Sequence, residues 1–259
     1  MVADDDKPNF LVLTEDGGPN GKNAFETVRR LTAKLFTYID SSLNTNEIDF
    51  EPATEEARKV LVSNQWVAPD HPQRYRLHQF LAAQLRLDNG FVVHHFDGDS
   101  RWGDRNHDEP LEAKPAQAEL LNHVRVILEG KEKNLERVDR MMLRYLRLVP
   151  YREIEAWLYQ NTEKVRAFTC GRPACGCLRQ LDEWREDRGL LDESDDPAKA
   201  LPCVGKSNNK ELVRGFPTHE VYEVEKSLAA SINKMLDCQD LLGALKSTYA
   251  RPLPEEPQA

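Results

Sequence analysis

The stretch "LRLDNGFVVHHFDGD", residues 85–99, contains a helix end, a stop signal, an apolar run and a pair of acids. Upstream of it, Leu77, Phe80, Leu81, Gln84 and Leu85 recur at helical spacing, and Asp88-Asn89-Gly90 supplies the glycine that closes such a helix. "FVVHHF" then shows no polar alternation, the pattern of a strand covered on both faces, as in parallel sheets. The same grammar opens the chain. "FLVL" (Phe10–Leu13) is followed by the polar, glycine-rich "EDGGPNGKN", and then by a helix with Phe25, Val28, Leu31, Leu35 and Ile39 on one face. Strands alternating with helices predict an α/β fold with a mainly parallel, Rossmann-like sheet flanked by helices.

Between Leu43 and Pro72, "EARKVLVSNQWV" fits a helix or a strand. Ala113–Leu148 reads as two helices, around "AELLNHVRVILEG" and "KNLERVDRMMLRYLRL". A further helix begins just past Pro150, with Tyr151, Ile154, Trp157 and Leu158 on one face. Thr169–Gly205 is rich in Cys, Gly, Pro and acids and reads as an insertion or small subdomain outside the core. The expected organisation is an α/β core over 1–168, a Cys-rich insertion over 169–205, a helical part over 206–250 completing the core, and a disordered tail over 251–259.

The chain has 259 residues, with 35 basic against 44 acidic side chains and a formal charge of −9. No bulk field draws it to nucleic acid or an anionic membrane, which argues against a plain basic DNA-binding module. An enzyme that meets phosphates through bound metal stays open, because metal-binding carboxylates themselves make the count negative. No run of eighteen apolar residues occurs, and "MVADDDKPNF" has acids where a signal peptide has lysine, so a cytoplasmic protein without membrane attachment is expected. Five cysteines are not a disulfide framework in such a setting.

Asp97 and Asp99 flank Gly98 just past the second apolar run, and residues two apart on an extended chain point to one side. They read either as a tight turn or as an oxygen site for a hard cation, which needs only one or two protein carboxylates. Glu15 stands just past the first run, and in parallel sheets ligands gather beyond the carboxyl ends of the strands. Glu153 or Glu155, in the first turn of "YREIEAWLY", supplies a further acid. By parity His95, not His94, shares the direction of Asp97 and Asp99.

The order of a Glu after strand one, Asp-x-Asp after a later strand, and Glu155-Ala156-Trp157-Leu158 resembles the TOPRIM domain, the metal-binding fold of topoisomerases, primases and overcoming-lysogenization-defect nucleases. It is most similar to small stand-alone TOPRIM-like proteins of bacterial defence islands. The resemblance covers roughly residues 10–160, with an echo in the lysines of "GKSNNKELV"; where the family has Glu-Gly, this chain has Glu15-Asp16-Gly17. It implies cleavage of DNA or RNA dependent on Mg²⁺ or Mn²⁺. Glu15, Asp97 and Asp99 would hold the metal, Glu15 or Glu155 would act as base, and Lys206 or Lys210 would steady the phosphate. A partner ATPase or defence-system subunit is implied with it, and an oligomer is left open.

"CGRPACGC" places Cys170, Cys175 and Cys177 together, with Cys203 beyond, which meets the ligand count of a structural Zn²⁺; reduced thiols in a loop are the alternative. Cys238 reads as a small core residue. Two other functions remain at this level. One is a non-catalytic, zinc-bearing interaction subunit. The other is a nucleotide-binding protein using the glycine-rich loop 15–23, although that stretch lacks the glycine spacing and the final Ser/Thr of a phosphate loop.

Overall fold

The structure is a computed structural model and describes residues 7–15, 18–62, 72–98, 115–169, 177–194 and 196–250. Asp99, Cys170, Cys175 and the tail over 251–259 lie outside them. The two apolar runs form its centre. β1 (Asn9–Thr14) and β3 (Gly90–His95) pair in parallel, with Phe10 opposite Phe91 and Thr14 opposite His95. β2 (Phe50–Pro52) flanks β1 and β4 (Tyr145–Leu148) flanks β3, giving a four-stranded, all-parallel sheet of order β2-β1-β3-β4.

Continuous apolar runs suit this sheet because it is covered twice. Phe10, Val12, Phe91 and Val93 enter one core, while Leu11, Leu13 and Val92 enter the other. α1 (Gly18–Ile39) connects β1 to β2 and buries Val28, Leu31, Leu35 and Phe36 on the first face. The return past β1 runs through α2 (Glu55–Val62) and α3 (Pro72–Arg86), and the step to β4 runs through α4 (Pro115–Lys131) and α5 (Leu135–Leu143), all packed on the second face. Parallel crossovers are right-handed, so a chain that reverses its direction across the sheet must change faces. The reversal falls between β1 and β3, the position where such folds open a crevice. The first face is completed by α12 (Thr218–Val224), α13 (Lys226–Asp237) and α14 (Gln239–Tyr249), through Val221, Leu228, Ile232, Met235, Leu241 and Leu245.

Two elements differ from the sequence reading. "RYLRL" continues the helical spacing of α5, yet the helix stops at Leu143 and Tyr145–Leu148 is a strand. Tyr145 enters the second core while Leu146 and Leu148 enter the first, a two-sided burial that a strand in a doubly covered sheet offers this short segment and a helix does not. The described part of 169–205 is also not outside the core. α8 (Cys177–Glu186), α9 (Gly189–Glu193) and α10 (Pro197–Ala200) follow α6 (Ile154–Leu158) and α7 (Thr162–Thr169), and Cys177, Leu181, Trp184, Leu191 and Leu201 are buried in the first-face core. Cys177, Leu181 and Trp184 recur at helical spacing, and their apolar area outweighs the acidic composition around them.

Gly98 lies where the loops after β3 and β4 touch. A Cβ there would overlap the carbonyl oxygen of Pro150 and come within 2.5 Å of that of Tyr151. Gly98→Ala is therefore expected to destabilise the protein by about 1–3 kcal/mol, as overpacking does. Gly130, in α4 with open space around it, is the control: Gly130→Ala should stabilise by up to about 1 kcal/mol. Urea unfolding of both variants checks the pair, and equal effects would contradict the packing described.

Candidate active site

All four strands point the same way, so their carboxyl ends share one edge of the sheet. Glu15 is the first residue past β1, and Asp97 lies two residues past β3. Backbone pairing continues beyond the regular strands: the Phe96 N–H donates to the Leu148 oxygen at 3.4 Å and the Gly98 N–H to the Arg152 oxygen at 2.9 Å. This holds Asp97 beside Arg152-Glu153 at the start of α6. The Asp97 N–H in turn faces Glu15, whose Oε2 accepts it at 3.4 Å.

α6 is a single turn and a half, and every residue of it is buried. Trp157 anchors it, its Nε1–H donating to Ser227 Oγ of α13 at 2.8 Å. That anchoring carries Glu155 inside with it, to 2% exposure. A buried carboxylate needs a donor, and Asn209, the first residue of α11 (Asn209–Leu212), provides one: its Nδ2–H donates to Glu155 Oε1 at 2.7 Å. A 3-10 turn at Lys206–Asn208 leads directly into α11 and brings Lys206 to the same place.

The electrostatics record the convergence. Removal from bulk water, then the charges of Glu155, Glu15 and Glu153, push the Asp97 carboxyl from 3.8 up to about 8, while Lys206 pulls it back. His95 Nε2 stands 3.8 Å from Asp97 Oδ1, as the strand parity requires, whereas His94 points to the opposite face and bonds the Tyr145 hydroxyl through Nδ1 at 2.5 Å. Beside the acids, Asn23 and Thr27 of α1, His95, Ile154, Lys206 and Asn209 line a small open cleft.

Of the residues singled out in the sequence, Glu15, Asp97, Glu155 and Lys206 are thus brought together, with Glu153 added. Lys210 is not among the residues lining the cleft; its carbonyl oxygen accepts from Arg30 of α1 at 3.2 Å. Asp99 lies outside the described residues. Asn209 was missed because a bond spanning 54 residues leaves no local signal beyond the polar "KSNNKE" around it. The glycine-rich stretch also differs from its reading as a loop: from Gly18 onward it is the first turn of α1.

Among the described residues, no three His, Cys, Asp or Glu side chains are close enough together to hold a metal on their own. The donor set still fits a hard cation such as Mg²⁺ in kind, because that ion takes one or two carboxylates and keeps its waters, and a crowded carboxylate held partly protonated is what a divalent charge would relieve. Zn²⁺ is not supported in the same way. The Cys177 sulfur, a free thiol, lies 2.7 Å from that of Cys203, but Cys203 is disulfide-bonded. Cys238 is a buried free thiol at the start of α14.

Fold and site define an α/β protein with an acidic cluster at the switch point of a parallel sheet. Comparison of the chain with known protein families, curated proteins and solved structures finds no match.

Because the folded pKa of Asp97 lies above its unfolded value, the native state holds more protons between about pH 4 and pH 8, and stability falls as pH rises through that window. The side chain keeps 35% of its exposure, so solvent screening reduces the effect. Without divalent cations, Asp97→Asn should raise the melting temperature at pH 8.5 by about 2–4 °C and leave it unchanged at pH 4. Thermal melts at both values check this; a variant less stable at pH 8.5 would refute it.

Proposed function

We propose that the protein is a metal-dependent nuclease of the TOPRIM type, hydrolysing phosphodiester bonds of DNA or RNA with Mg²⁺ or Mn²⁺. The observation that carries the reading is the meeting of Glu15, Asp97 and Glu155, which follow three neighbouring parallel strands, with Lys206 opposite them. Glu15 and Asp97 would hold the cation, together with Asp99. When bound, the cation lowers the pKa of water and offsets charge on the phosphate. Glu155, rigid within α6, takes the proton of the attacking water. Lys206, exposed at the mouth of the cleft, meets the non-bridging oxygens of the phosphate. The negative surface gives the substrate no general attraction, so productive contact is confined to this edge. Among the described residues no helix is long and apolar enough to cross a membrane.

The test is direct. Purified protein with Mn²⁺ should cut DNA or RNA oligonucleotides, and Glu155→Gln should slow cleavage roughly 10²–10⁴-fold, the range of a general base. A wild type that cuts neither nucleic acid refutes the proposal. A structural Zn²⁺ at Cys170, Cys175, Cys177 and Cys203 is a separate part of it, and requires Cys203 to be reduced: elemental analysis of the reduced protein should find one zinc per chain, and its absence removes that part alone.

A further inference from the structure

Glu155 and Asn209 are both buried, at 2% and 6% exposure, and the amide orientation of Asn209 is fixed. A carboxylate only accepts, so the Nδ2 group must face Glu155 Oε1 and the amide oxygen must face away. That oxygen, Oδ1, is buried with no hydrogen-bond partner among the described residues. Buried acceptors are normally satisfied, and one that is not weakens the fold. The backbone of α11 does not need this amide for its place either. Arg30 bonds the carbonyl of Lys210 at 3.2 Å, and Asn161 Nδ2 bonds the carbonyl of Leu212 at 2.7 Å. An apolar residue at each of the two positions would pack without leaving an orphaned acceptor.

We infer that Asn209 is a positioning residue for Glu155: it holds Oε1, fixes the rotation of the carboxylate and leaves Oε2 as the oxygen that meets the reacting water. The inference rests on the nuclease reading for what Glu155 does, but not for the pairing itself. It also explains why Lys206 and Asn209 belong to one continuous turn and helix. The segment that delivers a cation to the cleft also orients the base.

Three variants test it: Asn209→Asp, which keeps the shape but replaces the amide donor with a second carboxyl beside Glu155; Asn209→Leu, which has no donor; and the double variant Glu155→Met with Asn209→Leu. The double variant should melt within about 3 °C of wild type or above it. Asn209→Asp and Asn209→Leu should lower kcat roughly 10–100-fold with KM unchanged, as loss of an orienting partner does. A double variant that melts far below wild type would make the pair a structural element, and an Asn209→Leu enzyme with wild-type kcat would remove the positioning role; either overturns the inference. If wild type cleaves nothing, the nuclease reading fails by itself, and the melting comparison still upholds or overturns the pair.

Discussion

Asp97 is drawn out of bulk water and set among like charges, and holding it there is the constraint on which the site depends. Burial first, and then the charges of Glu155, Glu15 and Glu153, hold the pKa of its carboxyl at about 8. A fold tolerates such crowding only where the backbone leaves no alternative. Here the Phe96–Leu148 and Gly98–Arg152 bonds extend the β3–β4 pairing past the strands, and the missing side chain of Gly98 lets the two loops touch. Asp97 and Glu153 cannot move apart without breaking that contact.

The rest of the architecture supplies the setting. A parallel sheet puts every carboxyl end on one edge, and the reversal between β1 and β3 leaves that edge uncovered by a crossover helix. The helices around it are fixed by large buried side chains: Trp157 in the same short helix as Glu155, and Trp184 and Leu181 in the segment that leads to Lys206. Packing thus provides the rigidity, and the polar groups at the edge are held on it at some cost to stability, as the Asn209 oxygen with no partner among the described residues illustrates.

The parts of this that could be read from the sequence were those with two-sided burial or a fixed place in the chain. β1 and β3 are continuous apolar runs because both their faces are covered, and Glu15, Asp97 and Glu155 are legible as acids that follow such runs or open a helix. β2 is only "FEP", three residues at the edge with a proline, and carries no periodicity. β4 was hidden because "YLRL" continues the spacing of the helix before it, so only tertiary burial separates strand from helix. The helices after Cys177 were obscured by acidic composition even though Cys177, Leu181 and Trp184 are regularly spaced. Asn209 is defined by its partner 54 residues away, which no local pattern encodes.

The proposed chemistry requires the crowded carboxylates to take a divalent cation. Titration of the metal-free protein with Mn²⁺, followed by the loss of the free-ion electron paramagnetic resonance signal, measures this without reference to any substrate. Saturable binding that Asp97→Asn abolishes is the expected result. Binding that is absent in the wild type, or that survives undiminished in Asp97→Asn, would contradict it.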